Sequence, residues 1–183
     1  MEQIPSLPTT RRLVTGHGKE GKAIFEFDDM LTPINPFPKP EREGKTDHTV
    51  EAAASPLGVT LIQGSTEELT PDNLRRGQGE PGIVCQIVDL PARSKDTPLF
   101  LRRNQSLDYG VVLKGTMQIV LDDGAERTLN EGDVYVQKGT LHAWKNISSE
   151  YSRFLTVVIP SEKVKVEATG ELLEVTKIPA LSD

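Results

Sequence analysis

Three polar side chains in the second half of the chain have the types and spacing for proton-transfer chemistry: Arg102, Asp108 and His142. His142 and Trp144 stand two apart in the run His-Ala-Trp-Lys-Asn that ends at Asn146. Residues two apart on a strand share a face, so the imidazole and the indole point together. Arg102 and Asn104 stand in the same relation within 99–104, which the pattern predicts to be a strand. A histidine titrates near neutral pH and serves as acid or base. A guanidinium holds a carboxylate, enolate or phenolate, and an indole supplies an apolar or aromatic wall. Burial lowers an imidazole's pKa and a nearby carboxylate raises it, which leaves the resting state of His142 open.

Other chemistries are narrowed by the same inventory. Cys85 is the only cysteine, excluding an internal disulfide and a cysteine-based zinc site within one chain. It reads as an apolar core residue without a redox role. No histidine lies between His48 and His142. His48 reads as a solvated surface residue, and His17 stands in glycine-rich surroundings. The chain carries 21 Lys and Arg against 27 Asp and Glu, a net charge of −6. That balance argues against nucleic acid and anionic membrane as partners, since both need a basic footprint. No apolar run has the length of a membrane span, and the N-terminus lacks the basic start and apolar stretch of a secretory signal. These features point to a soluble, cytoplasmic protein.

The elements that must position these groups are short. With 183 residues the chain suits one domain, and 13 prolines and 15 glycines leave little room for helices. A short helix is predicted around 67–76, capped by Thr66 or Thr70 with Pro71 in its first turn. Strands are predicted at 23–27, 59–63, 83–89, 99–104, 110–114, 117–122, 133–137, 142–146 and 154–159. So many short strands without intervening helices indicate an antiparallel sandwich or barrel. Lys114-Gly115 and Asp123-Gly124 are hairpin turns, where glycine accepts positive φ. The proline-rich stretch 32–40, with the polar residues up to His48, reads as an extended loop. It is a linker, or a segment laid over a partner or a pocket mouth with Phe37 as anchor.

The run Gly132-Asp-Val-Tyr-Val-Gln-Lys-Gly-Thr-Leu-His-Ala-Trp-Lys-Asn146 resembles the second motif of the cupin superfamily. Asp108-Tyr-Gly-Val-Val-Leu-Lys-Gly115 resembles the end of the first, and the stretches at 12–22 and 88–91 resemble a subgroup of small single-barrel cupins. The proline usual in the second motif is absent, and Lys138-Gly139 forms a tighter turn. The resemblance implies an all-β cupin barrel (a double-stranded β-helix of jelly-roll type) with an extended N-terminal arm. On that reading 1–56 is the N-terminal strand and arm, 57–165 the barrel, and 166–183 a C-terminal strand and tail. Cupins usually hold a divalent metal with three histidines and a carboxylate. Counting back from Asp108 in the carboxylate slot puts Asn104 and Arg102 in two histidine slots, and His142 matches the third. A guanidinium has no lone pair to donate and repels a metal, so no metal and no other cofactor is expected.

In that register Asp108 faces the lumen with Arg102, Asn104, His142 and Trp144, amid Val112, Met117, Ile119 and Phe154. An apolar pocket with a few convergent polar groups is the usual form of a small-molecule site. Arg102, Asp108 and His142 are the expected catalytic set, and the remaining residues the expected substrate contacts. Without a metal or redox cofactor these groups point to a lyase or isomerase performing dehydration, decarboxylation, isomerisation or cyclisation, and the resemblance implies a polyketide-like secondary metabolite as substrate. Two alternatives stand beside it: a metal-dependent cupin oxidoreductase or dioxygenase, and a non-catalytic binding module. A bland reading pairs Arg102 with Asp108 as an internal salt bridge and puts Trp144 in the core. Tyr109 should face away from Asp108, as interface or core. A homodimer is the expected assembly.

Overall fold

A computed structural model describes residues 9–33, 58–62, 82–92 and 99–176. These residues form ten strands, and no α-helix occurs among them. Accordingly, no described helix is long and apolar enough to cross a membrane. Strands β1 (Thr10–His17) and β2 (Ala23–Leu31) pair with each other as a hairpin. The other strands are β3 (Gly58–Ile62), β4 (Val84–Leu90), β5 (Ser106–Lys114), β6 (Met117–Leu121), β7 (Glu126–Leu129), β8 (Val134–Lys138), β9 (His142–Asn146) and β10 (Ser152–Pro160). They make a five-stranded sheet in the order β3-β4-β10-β5-β8 and a three-stranded sheet in the order β7-β6-β9, antiparallel throughout.

Alternation sets the inward face. On β10, Ser152, Phe154, Thr156 and Val158 are buried, and on β5 Ser106, Asp108, Gly110 and Val112 are buried. Phe154 lies opposite Val112 on one side and Val88 on the other. Val88, Val112, Met117 and Phe154 form the core, with Leu90, Leu129, Tyr135 and Trp144 packed against it. These residues come from both sheets, so the core fills the space between them. Gly115 and Gly124, at φ of 80° and 81°, make the two expected turns.

Asn146 ties the end of β9 to its surroundings. Its amide donates to the carbonyls of Leu90 at 2.9 Å and Glu150 at 2.7 Å. Its Oδ1 accepts from the Ser148 amide at 2.8 Å, the Ser148 hydroxyl at 2.6 Å and the Ser152 hydroxyl at 2.8 Å.

Three expectations change. The predicted strand at 99–104 is absent, and only Arg102 bridges a strand, to His142. The backbone of Arg103 bonds the C-terminal segment instead, donating to Thr176 Oγ1 and accepting from the Thr176 amide. Second, residues Thr10–His17, outside the predicted strands, form β1 and pair with β2, where Arg12 binds Asp29 in two places and lies over the Phe27 ring. Third, Cys85 on β4 is half-buried rather than sealed in the core. The helix expected at 67–76, Phe37, His48 and all but the start of the 32–40 stretch lie outside the described residues.

Candidate active site in the barrel lumen

The geometry of the lumen starts from one backbone pair. The Arg102 amide donates to the His142 carbonyl at 2.8 Å, and the His142 amide donates to the Arg102 carbonyl at 3.0 Å. Residues paired this way project to the same side, so the guanidinium and the imidazole are neighbours. The His142 ring is buried, and its Nδ1 stands 3.0 Å from the Thr140 carbonyl. A carbonyl only accepts, so Nδ1 carries the proton and Nε2 presents its lone pair. No described residue hydrogen-bonds Nε2. Burial lowers the imidazole pKa to about 4, the positive charge of Arg102 lowers it too, and the Thr140 carbonyl counters only in part. At neutral pH His142 is an uncharged acceptor.

Arg102 forms no hydrogen bond or ion pair with any described residue. Desolvation lowers its pKa from the ordinary value, and the charges of Asp108 and Tyr135 work against that shift. The salt bridge with Asp108 is therefore not formed, although the two groups feel each other electrostatically. Burial raises the Asp108 carboxyl above the usual carboxylate range. The Ser106 hydroxyl and the Arg102 charge favour its ionised form without cancelling that penalty. Its Oδ2 accepts from Gln137 Nε2 at 3.1 Å, while Oδ1 is buried with no hydrogen-bond partner.

Tyr135 completes the polar wall. It lies on β8 opposite Gly110 of β5, and a Cβ at Gly110 would fall on the Tyr135 phenol. The missing side chain lets the phenol cross β5 toward Thr156, the residue opposite Gly110 on β10. Burial pushes the phenol's pKa up, so it stays protonated. The apolar wall is aromatic. Trp144 stacks on Phe154 at 5.1 Å between centroids and tilts against Tyr135 at 4.7 Å. The His142 ring meets Trp144 edge-on at 6.2 Å. Such contacts hold the rings in one arrangement and add about 1 kcal/mol each beyond burial.

The structure thus gathers Arg102, Asp108, His142, Trp144, Val112, Met117 and Phe154 around one lumen, with Ile119 opposite Trp144 on the neighbouring strand. Asn104 is placed elsewhere: it lines a small crevice with Gly139, Lys163 and Leu173. With 99–104 outside the sheet, the face shared by Arg102 and Asn104 does not exist. Tyr109 faces away from Asp108, as expected, and is exposed rather than in the core, and His17 is exposed too. Tyr135, Gln137 and Ser106 escape a sequence reading because neutral polar residues in alternation also suit a solvated face.

A cupin metal does not fit this donor set. Among the described residues no three of His, Cys, Asp and Glu come together. Among the described residues only His142 Nε2 and Asp108 Oδ1 are free donors here, and the Arg102 cation takes the place of a histidine ligand.

Two antiparallel sheets closed over a mixed polar and aromatic lumen define a small jelly-roll barrel. Residues 86–158 match the Cupin_2 family, the cupin domain. Phomopsin biosynthesis cluster protein C′ of Diaporthe leptostromiformis is 31% identical over 177 residues, spanning 94% of this chain and 88% of that protein. The cupin-domain-containing oxidoreductase fogC of Aspergillus ruber is 30% identical over 89% of this chain and 78% of its own length. A putative ethanolamine utilization protein Q of Salmonella typhimurium LT2 has a solved structure 15% identical, with a TM-score of 0.44 over 84% of this chain and 98% of that one. The chain belongs to the cupin family.

Proposed function

We propose that this cupin is a tailoring enzyme of secondary metabolism, acting as a lyase or isomerase by proton transfer without metal or redox cofactor. The observation that carries the reading is a desolvated guanidinium without a hydrogen-bond partner among the described residues, beside an imidazole whose Nε2 none of them engages. A substrate carboxylate, phenolate or carbonyl docks on Arg102, while Trp144 and Phe154 take its apolar body. Burial is the main reason the imidazole pKa is low; anion binding offsets the smaller contribution of the Arg102 charge, so His142 gains basicity when substrate is present. Nε2 then removes a proton from the carbon next to the acid or carbonyl, and Arg102 stabilises the enolate that develops. In a dehydration the enolate's electron pair forms the new double bond as the C–O bond breaks. Asp108 gives the departing oxygen its proton, water leaves, and the His142 proton returns to Asp108. The raised carboxyl pKa supports that role. Relatives named for a biosynthesis cluster support the substrate class.

Metabolite extract from source cells lacking the protein, incubated with purified protein and excess chelator in deuterated water, tests the reading. A product that gains or loses water, loses carbon dioxide or carries solvent deuterium is expected, and His142→Ala abolishes it while keeping the fold. The oxidoreductase names of four relatives favour a second reading. That reading predicts oxygen uptake and one transition metal per chain, and chelator-sensitive turnover would establish it. Ligand binding without turnover, unchanged in His142→Ala, would identify a non-catalytic binder.

A further inference from the structure

The lumen holds three buried oxygens without a hydrogen-bond partner among the described residues: Ser106 Oγ, Oδ1 of the catalytic Asp108, and Gln137 Oε1. Their residues are 2%, 5% and 4% exposed. Ser106 and Asp108 stand two apart on the inner face of β5, and Gln137 lies directly opposite Asp108 on β8. The Gln137 Nε2 to Asp108 Oδ2 bond at 3.1 Å fixes the amide's orientation, since the reverse would set oxygen against oxygen. Gln137 Oε1 and Asp108 Oδ1 flank that bond as the two free acceptors. The Ser106 hydroxyl lies close enough to Asp108 to favour its ionised form, yet neither Ser106 Oγ nor Asp108 Oδ1 makes a geometric hydrogen bond. A buried acceptor left unpaired is costly, and native proteins keep few of them without a purpose.

We propose that Ser106, Asp108 and Gln137 form a subsite for a neutral hydrogen-bond donor, a hydroxyl or amide N–H, on the lumen's ligand. Resting on the small-molecule reading above, this adds a second requirement to the substrate. The molecule carries an anionic or carbonyl acceptor for Arg102 and, apart from it, an O–H or N–H for the β5–β8 wall. An ammonium group is disfavoured, because the guanidinium acts on the same carboxylate. A lumen with one unpaired cation and a separate acceptor cluster therefore selects hydroxy-acids, hydroxy-carbonyls and amides over plain hydrocarbon acids.

Matched probes test this with the full-length protein. Benzoate and para-fluorobenzoate carry the acceptor alone; para- and meta-hydroxybenzoate and para-carbamoylbenzoate add a donor. By NMR titration, at least one donor-bearing probe is expected to bind at least about tenfold tighter than benzoate and para-fluorobenzoate. Gln137→Met should shrink that preference to within about twofold while benzoate binding holds. Ser106→Ala, which leaves the Gln137–Asp108 bond in place, should reduce it by a smaller factor and covers the case in which Gln137→Met misfolds. Equal binding of donor and donor-free probes overturns the proposal, and so does failure of every donor probe to bind. Retention of the preference in His142→Ala separates the subsite from catalysis, so it stands even if no proton-transfer turnover is found.

Discussion

A neutral, buried His142 makes a quantitative prediction about acid stability. The native ring resists protonation until about pH 4, whereas the unfolded ring titrates at its ordinary 6.5. Above 6.5 neither state holds the proton and His142 contributes nothing. As pH falls through 6.5 the unfolded chain takes up a proton that the lumen refuses, so stability falls down to about 4. The slope reaches about 1.4 kcal/mol per pH unit, and the accumulated loss is about 2 kcal/mol near pH 5. Asp108 acts in the opposite direction. Its raised native pKa means the folded state protonates first, which adds stability as pH falls. Comparing wild type with His142→Gln cancels that contribution, and Gln keeps a donor for the Thr140 carbonyl. Trp144 is the only tryptophan, so its fluorescence reports urea unfolding directly. Between about pH 7.5 and pH 5 the wild type should lose about 2 kcal/mol more than the variant. Urea midpoints that shift in parallel would refute a neutral imidazole in a desolvated lumen.

Three further outcomes follow from the same geometry. Arg102→Met should raise the His142 pKa above about 4, because the cation that lowers it is gone, and should move Asp108 further up; imidazole and carboxyl NMR titrations read both shifts. Gly110→Ala should cost about 1–3 kcal/mol in a thermal or urea melt, since the new methyl must displace the Tyr135 phenol. Arg153→Met strips both hydrogen bonds, at 2.6 Å and 2.8 Å, from the buried Asp89 carboxylate, and chemical unfolding should show a loss of about 3–5 kcal/mol.

The barrel's ladder was legible because it rests on local chemistry. Gly115 and Gly124 sit where the chain must take positive φ, and β10 alternates inward and outward over its whole length. His142 and Trp144 share the lumen because they share a strand face. Arg102 was found for its charge but placed on the wrong element. The partner that draws its neighbour Arg103 out of the sheet is Thr176, 73 residues away, and no local pattern carries a contact at that separation.

The polar wall was hidden for a different reason. On β8 the hydrophobic pattern is inverted: Val134 and Val136 are 68% and 54% exposed, while Tyr135 and Gln137 point into the lumen. A reading that sends valines inward would turn this strand over and empty the site of its acceptors. Folding alone favours the flipped register, since it would bury two valines and free two polar groups. The chain holds the costlier arrangement, with Gly110 cleared to let the phenol through and an Asp–Gln pair left half-satisfied. Local rules are broken together on neighbouring strands, where an arginine and an imidazole nitrogen without partners among the described residues also face inward, and this is the pattern expected of a lumen shaped for a ligand, as proposed above.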